Sequence, residues 1–94
     1  MTWIEIARIE DVGKEMFMTY SYNSNTLQLV GDLRKISNAN VVKQGVLDNI
    51  SPPFNKELIV RLHNETKDLP VLDSCYVNKL KIDNSNNKCG LIRI

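Results

Sequence analysis

The sequence predicts a β-rich α+β or all-β domain: an antiparallel meander followed by a C-terminal hairpin, forming a small sheet or partly closed barrel with at most one short helix. Three observations predict it. Met16, Met18, Tyr20 and Tyr22 alternate with Phe17, Thr19 and Ser21, so one side of an extended segment is apolar. Residues 76–94 hold two more alternating runs around the turn-like Asn84-Ser85-Asn86-Asn87. Short Gly- and Asn-containing segments separate the runs. A period of two is the mark of a half-buried strand, because successive side chains point to opposite faces.

Taken in order, Thr2 to Ile9 reads as a first strand. Glu10-Asp11-Val12-Gly13 has turn character, with Gly13 able to take a positive φ without steric cost. Lys14 to Tyr22 is the second strand, Asn23-Ser24-Asn25 the next turn, and Thr26 to Val30 the third strand. The middle is two-sided. Leu29, Leu33 and Ile36 have helical spacing, as do Val42, Val46 and Ile50, and Asn38 or Asn40 is a suitable cap. One short helix is therefore expected within residues 40–50, stopped by Ser51-Pro52-Pro53; the rival is a strand through Val41 and Val42. Glu57 to Leu62 reads as a further strand with Leu58, Val60 and Leu62 on one face, and Asn64 to Asp68 as a polar loop. In the last hairpin Ile82 faces Cys89, and Tyr76, Leu80, Ile82, Cys89 and Leu91 share the core face.

Ninety-four residues suit one domain, 1–94. The composition, 43% hydrophobic and 24% charged, is that of a folded globule. Twelve Lys and Arg against eleven Asp and Glu leave a formal charge of +1, so no global basic field points to nucleic acid or an anionic membrane. The charge is uneven. Residues 76–94 carry Lys79, Lys81, Lys88 and Arg93 against Asp83, whereas residues 1–15 carry four acids against Arg8 and Lys14. Two cysteines, Cys75 and Cys89, are not a disulfide framework, and the hairpin register does not pair them. The N-terminus has neither a basic n-region nor an apolar h-region, and no apolar run is long enough for a membrane span. A reduced, cytoplasmic setting is expected. Eleven Asn, nine Ile and eight Lys against two Ala suggest an AT-rich genome, such as that of a bacterium, its phages or plasmids, or a protist.

No motif specifies a reaction. His63 is the one histidine, placed by the alternation on the polar face near a strand end, with no nucleophile signature beside it. His63, Cys75 and Cys89 lack metal-ligand spacing, so neither a metal nor a cofactor is expected. The glycines at 13, 31, 45 and 90 are too far apart to cradle a phosphate. Asn49-Ile50-Ser51 and Asn64-Glu65-Thr66 match the glycosylation sequon, as chance allows in an Asn-rich chain.

The leading expectation is thus a non-catalytic interaction protein, an inhibitor, immunity-type or accessory factor whose partner is another protein. The alternative is a single-stranded nucleic-acid binder. Lys79, Lys81 and Lys88, with Arg93, would follow the phosphates, and Tyr20 or Tyr22 would stack on bases. Against that, lysines on a solvent face also keep a sheet soluble and block edge pairing. Gly90 to Ile94, apolar on both faces near its tip, is a candidate edge for a homodimer.

Overall fold

The computed structural model describes residues 3–10, 12–72 and 91–92. Its centre is a four-stranded antiparallel meander, β1 (Trp3–Ile9), β2 (Met16–Asn23), β3 (Gln28–Lys35) and β4 (Val41–Leu47), in the order β1-β2-β3-β4. A helix, α1 (Lys56–Glu65), follows. Two short strands, β5 (Val71–Leu72) and β6 (Leu91–Ile92), then pair antiparallel, Val71 opposite Ile92 and Leu72 opposite Leu91. The expected meander is present and the domain is β-rich. Lys79, Lys81, Lys88 and Arg93, both cysteines and the turn of the expected hairpin lie outside the described residues.

Local hydrogen bonds close each turn. Between β1 and β2 the Met16 amide donates to the Gly13 carbonyl at 3.1 Å, and Gly13 takes φ 86°. The two central residues, Lys14 and Glu15, also have positive φ, 54° and 56°. A residue with a Cβ is disfavoured there by roughly 1 kcal/mol or more. Between β2 and β3 the Asn23 carboxamide accepts from the amides of Asn25 and Thr26, an Asx turn. Between β3 and β4 the Lys35 amide donates to the Asn40 carbonyl, with Ala39 at φ 59°.

Two elements differ from the sequence expectation. Residues 41–47 form β4, the rival reading, and not a helix. An i, i+4 spacing is even, so it satisfies a strand face as well as a helix face; Val42 and Val46 are β-branched and Gly45 disfavours helix. Residues 56–65 form a helix, not a strand. The Asn55 side chain accepts from the Leu58 amide at 3.0 Å, and Glu57 lies in the first turn, where the helix dipole favours an acid. Its buried residues, Ile59, Leu62 and His63, are spaced i, i+3, i+4.

The helix covers one face of the sheet. Met18, Tyr20 and Tyr22 of β2 lie opposite Leu33, Gly31 and Leu29 of β3, and Gly31 and Leu29 lie opposite Gly45 and Leu47 of β4. The paired glycines leave a flat site that larger neighbours fill. A Cβ on Gly31 would lie 2.9 Å from Leu62 Cδ2, and one on Gly45 would lie 2.4 Å from Thr66 Cγ2. Leu62 and Leu69 are buried here with Ile9, Val12, Ile50 and Ile59. Full burial of such side chains contributes about 1.5–3 kcal/mol each against an extended chain.

Candidate functional site

Register assigns the residues of the other face. Glu5, Ser21, Val30 and Val46 form one cross-strand row; Arg8, Thr19, Asp32 and Gln44 form the next. Phe17, Arg34 and Val41 lie beyond the second row, and Trp3, Asn23 and Gln28 beyond the first. Neither α1 nor the residues packed with it belong to this face.

Its centre is a closed polar network. Asp32 is buried although it points away from the helix. One carboxylate oxygen accepts from Gln44 Nε2 at 2.7 Å, the other from Arg34 at 3.0 Å. Arg34 also donates from Nε to Thr19 Oγ1 at 3.3 Å and from Nη1 to the Ala39 carbonyl at 2.9 Å. A second guanidinium, Arg8, lies 5.1 Å from the centre of the Phe17 ring and pairs with Glu5 and Glu10. Glu5 and Asp32 against Arg8 and Arg34 leave the strand residues of this face without net charge. Among the described residues no buried side-chain nitrogen or oxygen lacks a hydrogen-bond partner.

Apolar residues frame this network. Trp3 on edge strand β1 is 41% exposed and Val46 on edge strand β4 is 43% exposed. Together with Ser21, Val30, Asp32 and Gln44 they line a shallow depression of about 460 Å³. The fixed polar centre, with Asp32 and Thr19 buried, Arg34 half-buried and Gln44 exposed, holds two exposed apolar edges in a defined shape for another surface. Both Asp32 oxygens are already occupied, which suits it to recognition better than to proton transfer.

The two tyrosines expected on a binding face are in the core, a correction that follows from the side of β2 they share with Met18. Tyr22 donates its hydroxyl to the Ile50 carbonyl and packs its ring 4.6 Å from Phe54. Tyr20 is wholly buried, and its hydroxyl lies 2.7 Å from His63 Nε2. Neither ring is available for base stacking. His63, expected at the surface, is also buried, because the segment is helical and puts it on the inner stripe with Ile59. Its Nδ1 lies against the Pro70 carbonyl, which accepts only, so Nδ1 carries the proton and Nε2 accepts from Tyr20. Burial lowers the His63 pKa, the Pro70 carbonyl opposing this in part, and burial raises that of Tyr20. The pair joins helix to sheet and is closed to solvent.

Trp3, Asp32, Arg34 and Gln44 were not singled out by the sequence. Aspartate within the apolar run Leu29-Val30-Gly31-Asp32-Leu33 was the available signal, but its partners are set by the β3–β4 register. Among the described residues no group of three His, Cys, Asp or Glu side chains is arranged to hold a metal, and no helix is long and apolar enough to cross a membrane. No protein-family model, no curated protein and no solved structure matches this chain.

Proposed function

We propose that the outer sheet face is a protein-binding surface, and that the chain is a non-catalytic interaction factor of the inhibitor, immunity or accessory kind acting inside the cell. The observation that carries this reading is the pairing of exposed Trp3 and Val46 with an internally satisfied network at Asp32. A partner covering this face would not strand a charge, since Asp32 already has Arg34 and Gln44; an unpaired buried carboxylate would cost several kcal/mol. Tryptophan and arginine are also the residues that most often dominate binding energy at protein interfaces.

Support for the nucleic-acid alternative is weaker. Arg8 and Arg34 each have a carboxylate partner, and Tyr20 and Tyr22 belong to the core. The test is capture from a lysate of the native cells on the immobilised chain. A specific protein retained by the parent, and lost on Trp3→Ala with Val46→Glu while the fold persists, is the expected result. Retention of single-stranded oligonucleotide with affinity falling steeply in salt, and of no protein, would overturn the proposal.

A further inference from the structure

A cleft at one end of the sheet, on the helix side, carries a different chemistry. Three segments remote in sequence each bring one lysine to it: Lys14 from the β1–β2 turn, Lys43 from β4 and Lys67 from the loop after α1. Asp68 is the one acid among its described lining residues. No ion pair joins any of these lysines to a described carboxylate. The apolar lining consists of partly exposed Met16, Val42 and Pro70 with buried Leu33 and Leu69. The cavity is about 210 Å³, smaller than the roughly 300–1,000 Å³ of drug-sized sites.

A cleft lined by charges of one sign focuses their field on whatever enters. The turn that supplies Lys14 stands out in its backbone as well. Lys14 and Glu15 occupy the two central positions of a turn with positive φ at both, where Asn and Gly are the usual residues. Backbone strain of this kind is concentrated at ligand-binding sites. Leu27, Ala39 and Asn49 also have positive φ in this chain, and the consecutive pair Lys14 and Glu15 is the one beside the cleft.

We propose that this cleft binds a small amphiphilic anion: a carboxylate or phosphate monoester held by Lys14, Lys43 and Lys67, with a short apolar body against Met16, Val42 and Pro70. The site is separate from the outer sheet face and stands or falls without it. The test is an NMR titration of the intact chain with hexanoate and with hexyl phosphate at low salt, with hexanol and hexylammonium as neutral and cationic counterparts. Saturable shifts at the three lysines with one or both anions, and with neither counterpart, are expected, and a preference between the anions names the head group. Lys43→Met should weaken binding about threefold to fivefold, and Asp68→Asn should strengthen it about twofold. Both positions are solvent-exposed, so neither change disturbs the core. No saturable shift with either anion, equal response to hexanol, or an Asp68→Asn chain that binds no better than the parent would overturn the proposal.

Discussion

The two faces of the sheet share strands and differ in what holds them. On the helix side, fit is steric: Gly31 and Gly45 make room, and Leu62, Thr66 and Leu69 fill it. On the outer side, position is set by hydrogen bonds radiating from Asp32 and Arg34. Steric fit in a closed core carries stability, since lost volume cannot be recovered. A satisfied polar face contributes less to stability and more to a defined surface. Substitutions that separate these contributions test the comparison directly.

The largest effect belongs to the helix side. Leu62→Ala removes a wholly buried side chain above Gly31 and should destabilise the fold by about 3 kcal/mol, read from denaturant unfolding. A loss below about 1 kcal/mol would mean that the sheet holds without α1. Gly45→Ala comes next, at about 2 kcal/mol. Its new Cβ would lie 2.4 Å from Thr66 Cγ2 and 2.6 Å from Oγ1, which no single rotamer change relieves together, and 2.9 Å from Thr66 Cβ, which none relieves. Thr66→Gly removes that Cβ, so the double variant should recover about 1 kcal/mol through coupling. Strict additivity would show that the two sites are not packed together.

A smaller effect comes from the polar contact inside the core. Tyr20→Phe leaves His63 Nε2 without its donor and should cost about 1–2 kcal/mol. The same pair sets a pH dependence. The folded imidazole has a pKa below 6.5, so below that pH the unfolded chain binds the proton more readily. The contribution is complete above about pH 6.5 and is lost as the pH falls toward the folded value. His63→Gln should therefore lose less stability than the parent between about pH 7.5 and pH 5.5. Parallel stability curves would contradict the burial of a neutral imidazole.

These residues also show which parts of the fold were legible. The alternation of Met16, Met18, Tyr20 and Tyr22 specifies a strand with one apolar face, and the same alternation, followed through, puts both tyrosines in the core. A surface position for either tyrosine would bring Met18, on the same side of β2, to the surface as well. The helix at 56–65 was hidden by its composition. Leu58, Val60 and Leu62 alternate as in a strand, while the stripe that is buried most deeply, Ile59, Leu62 and His63, is revealed only at a period of 3.6. Asn55 before Lys56-Glu57 was the legible start signal, and Arg61 with Glu65 the supporting i, i+4 pair. The outer network was illegible for a different reason. It joins residues on three strands, and a β-bulge between β3 and β4 shifts the register beside Arg34.

The smallest effect on stability is expected where the proposed effect on binding is largest. Trp3 and Val46 are at opposite edges of the sheet and more than two-fifths exposed, so neither belongs to the closed core. Surface changes away from caps and core usually alter stability by no more than about 0.5 kcal/mol. Val46→Thr, which keeps the β-branch that suits a strand, should fall in that range, and Trp3→Ala should cost about 1 kcal/mol at most, because part of its ring is already covered. Partner affinity should respond differently, because an exposed tryptophan buried on association commonly contributes 2 kcal/mol or more, about thirtyfold in Kd. Measuring unfolding and capture on the same variants separates the two quantities. Loss of capture with unchanged unfolding assigns Trp3 to the partner. A Trp3→Ala chain that unfolds by an extra 2 kcal/mol or so would instead make its indole part of the fold, and the outer face would lose its principal anchor.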